Sequence, residues 1–222
     1  MTESEAVLLD VLGSYVPAFI KRHLLTDPKP LRDPRIERFM GAVLFVDIKG
    51  FTDLAEALAK QSIAGAEELS YLLNVYIEEL VDLITLHGGD IVKFAGDALV
   101  GLWVAGTTDD DLTTITHRAA QCGLLIQAML HDQKPLEMIR LSLRVGIGAG
   151  EVTAAHVGGD LGRWEVLIAG DPLVQMGRAE KAATEGQVIL SNEAWQLIQN
   201  QCEGILLPDG NVLIDCLLYT SP

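Results

Sequence analysis

The chain has 222 residues, of which 49% are hydrophobic and only 5% aromatic, enough for one good core built mainly of Leu, Val, Ile and Ala. It carries 16 Lys and Arg against 31 Asp and Glu, a formal net charge of −15; a field of that sign repels nucleic acid and anionic membrane and favours solubility. Cys122, Cys202 and Cys216 share no metal-type spacing, the N-terminus has no secretory pattern, and no apolar run approaches the ~18 residues of a membrane span. The chain is therefore expected to be cytoplasmic, with reduced, semi-buried thiols and no membrane span.

Leu8, Leu9, Val11, Leu12, Val16, Phe19 and Ile20 recur at helical spacing and predict a helix over 5–24, bent at Pro17. Prolines among charges over 27–36 predict an extended linker. Residues 41–48 are too continuously apolar for a half-exposed strand and predict a buried one. A helical region is predicted from Thr52 to His87, broken near Gly65 and ended by His87-Gly88-Gly89. Residues 90–95 and 98–104 are two apolar strands joined through Ala95-Gly96-Asp97, which predicts a hairpin.

The run Asp109-Asp110-Asp111 suits the start of a helix reaching about Leu130. Strands are predicted at 139–149, 151–157 and 163–169, then a helix from Pro172 to Ala183. Residues 186–191 form a further strand, and Ser191 with Glu193 opens a short helix. Short strands at 203–207 and 211–217 complete the pattern. The order β-α-β-β-α-β, followed by further β and α units, predicts an α+β fold: a ferredoxin-like βαββαβ core with helices packed on a mainly antiparallel sheet. Three segments are expected: an N-terminal helix and Pro-rich linker over 1–36, a main domain over 37–200, and C-terminal strands over 201–222 with a truncated or non-native tail.

Two carboxylates stand out. The apolar run Val43–Val46 leads straight into Asp47, and Asp97 sits in the turn of the predicted hairpin. If the first strand lies beside that hairpin, both converge at one sheet edge. Two like charges ~4 Å apart cost about 4 kcal/mol at an effective dielectric of ~20, so a cation would be needed. Hard oxygen ligands in partial number suit Mg²⁺, which keeps waters and shares its shell with substrate phosphates. Ile48-Lys49-Gly50-Phe51-Thr52 then opens a helix whose free N–H groups can hold phosphate oxygens. The plainer alternative is that each Asp caps a turn. His87 suits the end of the long helix, His156 has no second ligand at metal spacing, and Trp103, Trp164 and Trp195 read as packing residues.

The stretches "LFVDIKGFT" (44–52), "GGDIVKFAGDALVGLW" (88–103), "LRVGIGAGEV" (143–152) and "LIAGDPLVQMGRAEKAATEGQVILS" (167–191) together resemble a class III nucleotidyl cyclase catalytic domain. Within that class, and with "YVPAFIKRHL" before the first strand, the chain looks most like the first, metal-bearing cyclase domain of soluble bicarbonate-responsive adenylyl cyclases and their bacterial relatives. The resemblance covers about residues 10–200. It implies the class III cyclase fold and conversion of ATP to cyclic AMP and pyrophosphate, by attack of the ribose 3′-hydroxyl on the α-phosphate. Two Mg²⁺ (or Mn²⁺) would be held by Asp47, Asp97 and the Ile48 carbonyl, with Ile48, Lys49, Gly50, Phe51, Thr52 and Arg144 holding the triphosphate.

The same resemblance exposes departures. Such sites form between two domains, and the partner half supplies base-reading and transition-state residues. Lys93 matches the base-reading lysine and Arg178 the transition-state arginine. Leu167 falls on the base-reading Asp/Thr position and Val174 on the Asn position, and neither side chain can do that work. The chain thus resembles a complete metal half with a degenerate or regulatory second pocket. It implies a second cyclase domain as partner, in the same longer chain or another subunit, and bicarbonate as a candidate ligand near Lys93 and Arg178, although Gly177 stands at that subfamily's arginine position. Two alternatives stay open: a catalytically silent pseudo-cyclase that binds nucleotide or bicarbonate and regulates a partner, and a guanylyl cyclase.

Overall fold

The structure is a computed structural model that describes residues 13, 16–17, 19–21, 29, 31–61, 65–106, 110–136 and 139–217. The helix expected over 5–24 lies largely outside the described residues. The chain divides into two compact units, one of residues 1–37 and 154–167, the other of residues 38–153 and 168–222. In the first, Glu37 Oε1 lies 3.1 Å from Arg35 Nε and 3.7 Å from Nε2 of buried His156.

Among the described residues nine strands form one sheet: β1 (Arg35–Lys49), β2 (Asp90–Ala95), β3 (Ala98–Val104), β4 (Gln133–Leu136), β5 (Ile139–Gly158), β6 (Trp164–Ala169), β7 (Val188–Leu190), β8 (Cys202–Leu206) and β9 (Val212–Leu217). The order is β2-β3-β1-β5-β7-β9-β8, with β4 and β6 each pairing β5. The β1–β3, β2–β3, β4–β5, β7–β9 and β8–β9 ladders are antiparallel, and β5–β7 is parallel. The helices are α1 (Phe51–Gln61), α2 (Gly65–Leu86), α3 (Leu112–Leu130), α4 (Asp171–Ala182) and α5 (Asn192–Ile198), with a 3₁₀ turn at Asp160–Gly162. The sequence β1-α1/α2-β2-β3-α3-β5 is the expected βαββαβ core, within a mixed α+β fold and a mainly antiparallel sheet. No helix among the described residues is long and apolar enough to cross a membrane.

Strand alternation sorts side chains between two layers. Leu44, Val46 and Ile48 of β1 and Leu143, Val145 and Ile147 of β5 join the main core with Leu54 and Leu58 of α1, Leu80 and Ile84 of α2, and Ala119, Cys122 and Ile126 of α3. Ile189, between Val188 and Leu190 on β7, packs instead with Ala179 and Ala183 at α4, so α4 covers the opposite face. Asp47, Arg144, Gly146 and Gly148 alternate with main-core residues and lie on that opposite face.

Three boundaries differ from expectation. The first strand was expected at 41–48 but begins at Arg35, inside the expected linker, where half-buried Glu37 and Phe39 alternate with exposed Ile36, Arg38 and Met40. The strands expected at 139–149 and 151–157 are one 20-residue strand. Gly150, with φ +147°, carries it through a conformation that side chains rarely adopt, so the glycine bends the strand without ending it. Strand β4 was not foreseen. Other signals hold: Asp111 and Ser191 accept from the amides of Thr114 and Ala194, capping α3 and α5. Gly88 and Gly89 donate to the carbonyls of Thr85 and Ile84 and close α2 in a Schellman turn, with buried Trp103 donating to the His87 carbonyl. All three cysteines are free; Cys122 and Cys202 are buried and Cys216 is exposed.

Helix α4 approaches β5 through glycines. A Cβ on Gly146 would stand 2.4 Å from the Glu180 amide nitrogen and 2.5 Å from the Met176 carbonyl oxygen. One on Gly148 would stand 2.2 Å from the Pro172 carbonyl oxygen. Gly146→Ala is therefore expected to destabilise the fold by about 2 kcal/mol or more, through forced backbone movement. Gly177→Ala, in the interior of the same helix with no atom within 4 Å of the new methyl, is expected to stabilise it by up to ~1 kcal/mol. Urea denaturation of both variants checks the pair, and equal effects would remove the close approach as an explanation.

Candidate active site

The edge where β1 ends is built by register. Asp47 pairs with Ala98 across the β1–β3 ladder, so Asp97, the preceding residue in the β2–β3 turn, stands beside it. The turn exists because Gly96 takes φ +69° with nothing within 4 Å of it. Asp47 is only 9% exposed, and Asp97 is half-buried. The register brings residues 47 and 97 to the same end of the β1–β3 ladder.

Arg144 on β5, the strand neighbouring β1, reaches Asp47 from the side. Its Nη2 lies 2.5 Å from Asp47 Oδ2 and 2.5 Å from Glu180 Oε1, and Lys49 Nζ lies 3.0 Å from the same Asp47 oxygen. Burial alone would raise the Asp47 pKa; hydrogen bonds and charge from Arg144 and Lys49 outweigh it and hold the group below its ordinary value. The Arg144 Nε is buried with no hydrogen-bond partner among the described residues, so the guanidinium keeps donors in hand.

Ile48 is 1% exposed, with its side chain in the core, which leaves its carbonyl as the group it can offer. Gly50 adopts φ +92°, and an added Cβ would meet the Arg140 carbonyl oxygen at 2.2 Å, so only glycine fits this turn. The Gly50 carbonyl accepts from the Leu54 amide, which makes it the first acceptor of α1. The amides of Phe51, Thr52 and Asp53 then precede the first intrahelical donor, as at any helix N-terminus. A cleft of ≈ 530 Å³ beside Arg144 is lined by Lys49, Arg144, Ala183, Thr184 and Glu185, a size that suits a small ligand.

The donors at this edge are all oxygens: the carboxylates of Asp47 and Asp97 and the Ile48 carbonyl. Two chain cations already sit on Asp47 Oδ2, which marks the place as one that demands positive charge. The residues therefore fit a hard divalent ion that keeps waters and phosphate oxygens for its remaining positions. No cluster of three or more His, Cys, Asp or Glu among the described residues forms a denser site.

The second set of residues does not join this cluster. Lys93 is exposed on β2, and Val174 (54% exposed) and Arg178 lie one turn apart on the open face of α4. Leu167, 54% exposed on β6, belongs to the other compact unit. No hydrogen bond or ion pair among the described residues links Lys93 or Arg178 to Asp47. Glu180 was not foreseen. Its signal is visible in the sequence: an acidic residue on the buried stripe Met176, Ala179, Glu180, Ala183 of an amphipathic helix.

The sequence matches the family model described as adenylate and guanylate cyclase catalytic domain over residues 40–211. It is 36% identical to adenylate cyclase type 10 of Mus musculus over 192 residues, 85% of this chain and 12% of that protein. Identity to the Homo sapiens protein of the same name is 34% over 166 residues, 74% of this chain and 10% of that one. The chain thus spans about an eighth or less of the length of these curated relatives. Among solved structures it resembles the adenylyl cyclase CyaB from P. aeruginosa, with TM-score 0.65 and 26% identity, covering 84% of this chain and 97% of that one. It shares its fold with the guanylyl cyclase domain of the RhoGC fusion protein from Blastocladiella emersonii, with TM-score 0.66 and 21% identity, covering 83% of this chain and 99% of that one.

The depressed Asp47 pKa has a signed consequence for stability. A carboxylate held below its unfolded value of 3.8 contributes in full above about pH 4 and loses that contribution as pH falls through the folded value. The stability difference between wild type and Asp47→Asn is expected to be largest near neutral pH and to shrink steadily below pH ~4. Urea midpoints of both proteins between pH 6 and pH 3 check this; a difference that does not change with pH would mean that the carboxylate is not paired in the folded state.

Proposed function

The chain belongs to the adenylate and guanylate cyclase catalytic-domain family, and from that premise we propose that it is the metal-bearing half of an adenylyl cyclase, which makes cyclic AMP from ATP with a second cyclase domain. One observation carries this reading. The Asp47–Ala98 register sets two aspartates at a sheet edge beside a helix N-terminus and a half-buried arginine. That is the arrangement a triphosphate with divalent ions needs.

The roles follow from the geometry. Asp47, Asp97 and the Ile48 carbonyl would hold two Mg²⁺ or Mn²⁺ ions, which supply Lewis acidity at the α-phosphate and acidify the ribose 3′-hydroxyl. The amides at the start of α1 face the triphosphate, and Gly50 lets the backbone come close to it. Lys49 and Arg144 exchange Asp47 for phosphate oxygens and balance the charge that builds on the leaving pyrophosphate. In the reaction the 3′-hydroxyl gives up its proton to water, its oxygen bonds to the α-phosphorus, and the bond from the α-phosphorus to the α–β bridging oxygen breaks, which releases pyrophosphate.

Base recognition falls to the second domain. Leu167 and Val174 are apolar and more than half exposed, so they present no hydrogen-bonding group where the family reads the base. The chain resembles named adenylate cyclases more closely in sequence than it does the RhoGC guanylyl cyclase domain, which favours ATP over GTP. Lys93 and Arg178 give the second pocket positive charge, with bicarbonate as its candidate ligand.

The test is a cyclase assay with Mg²⁺ or Mn²⁺ and ATP or GTP, on the chain alone and mixed with a second cyclase domain from its own source. Activity with ATP is expected only in the mixture, and Asp47→Ala is expected to reduce it by about 100-fold or more. Full activity from the chain alone would overturn the need for a partner. Silence in the mixture would replace the catalytic reading with a regulatory one.

A further inference from the structure

We propose that Glu180 is a positioning residue for Arg144, holding its guanidinium at the mouth of the Lys49–Arg144 cleft so that it meets a polyphosphate. The proposal rests on the reading of Arg144 as a triphosphate-binding residue. Arg144 and Gly146 occupy the same face of β5, and α4 lies across that face. Because Gly146 has no side chain, the α4 backbone comes so close that an added Cβ would stand 2.4 Å from the Glu180 amide nitrogen. This places Glu180 beside Arg144, with Oε1 2.5 Å from Nη2, an ion-pair contact in which Oε1 accepts no hydrogen bond among the described residues. Glu180 is 9% exposed, within the buried stripe of α4. A carboxylate so placed is costly unless paired.

The two carboxylates on Arg144 are not equivalent. Asp47 stands at the sheet edge next to Asp97, where a cation is expected, and Lys49 already competes for its Oδ2. Glu180 stands on the helix, away from that edge. When Asp47 turns to another cation, Glu180 is the anchor that stays with Arg144. Both carboxylates contact Nη2, so the guanidinium can keep Glu180 there while its remaining Nη donors turn to phosphate. Ala183, Thr184 and Glu185, which follow at the end of α4, line the cleft, so one helix end sets both the anchor and the wall.

The sign of one substitution separates positioning from mere charge balance. A negative charge near an anion site weakens anion binding, so deleting a bystander carboxylate tightens it. Deleting a positioning carboxylate loosens it. Glu180→Met keeps the volume and removes the polar group, and Glu180→Gln keeps the shape and removes only the charge that holds Arg144. Calorimetric titration of inorganic tripolyphosphate with Mn²⁺ into the full chain is the measurement. Glu180→Met and Glu180→Gln are each expected to weaken binding by about fivefold or more. Arg144→Ala combined with Glu180→Met is expected to bind no more weakly than Arg144→Ala alone, since Glu180 acts through Arg144. Glu180→Asp keeps the charge but withdraws the acceptor by one methylene; it is expected to weaken binding too, and keeps the test decisive should Glu180→Met fail to fold. Unchanged or tighter binding by Glu180→Met or Glu180→Asp, with Arg144→Ala weakened, overturns this proposal alone. Wild-type binding by Arg144→Ala overturns the reading of Arg144 and this proposal with it.

Discussion

Asp47 can end a buried strand as a carboxylate because Arg144 meets its Oδ2 at 2.5 Å and Lys49 at 3.0 Å. An isolated ion at that depth costs several kcal/mol of lost hydration. Glu180 then balances Arg144 at the same Nη2, so the four side chains sum to zero charge. Such a cluster is stable only as a set, because removing one member leaves another buried and uncompensated. It also couples two ligands. A cation on Asp47 turns the neutral set positive, and the counter-charge that restores balance is an anion at the freed donors of Lys49 and Arg144. On the proposed reading, metal and polyphosphate would therefore favour each other at this edge. The overall charge of −15 makes that local arrangement necessary, since the general field of the chain repels a triphosphate.

The cluster depends in turn on how closely backbone can approach backbone. Gly146 and Gly148 leave the α4 face of β5 without side chains, and the helix settles within contact of the strand. Gly50 does the same where the turn after β1 passes Arg140. A methyl at any of these positions would push the helix or the turn outward by a fraction of an ångström to an ångström. Ion pairs at 2.5 Å do not survive such a shift, whereas the main core on the other face would tolerate it. The glycines therefore serve the site more than the core, even though none of them carries a functional group.

Much of this was legible in the sequence, for physical reasons that differ by element. Continuous apolar runs ended by Asp47 and by Gly96-Asp97 announce buried strands whose polar ends have work to do. Helix α2 announces itself through its apolar stripe and its Gly-Gly end. The 20-residue strand β5 was read as two because Gly150 looks like punctuation, and a glycine that bends a strand has the same composition as one that ends it. The early start of β1 escaped because Arg35–Phe39 shows no apolar alternation, with Ile36 exposed and charged Glu37 half-buried beside Arg35, which reads as linker when the pairing strand is unknown. Glu180 escaped for a different reason. Its partner lies 36 residues away on another element, and a buried pair across a helix–strand contact leaves only one trace in sequence, a charge on an apolar stripe. Arg144, by contrast, was singled out through family resemblance, because an arginine in a strand carries no local signal of its own.

On the proposed reading, the distribution of polar groups accounts for one chain supplying half a site. Every group assigned to metal or triphosphate belongs to the compact unit of residues 38–153 and 168–222, and the tightest of them are tied to one another by ion pairs. Their geometry is set before any ligand arrives. Leu167 and Val174 are the opposite case: apolar, exposed, and without partners to fix a direction. A pocket that reads a base needs buried donors and acceptors whose unpaired state is costly, since that cost is the source of discrimination. Exposed leucine and valine side chains set no such cost, but they present apolar surface that another domain can cover. The same family fold can therefore keep its phosphate chemistry while losing its base-reading groups. The first is held by a network in which each charge needs the others, and the second consisted of separate residues that a partner domain can replace.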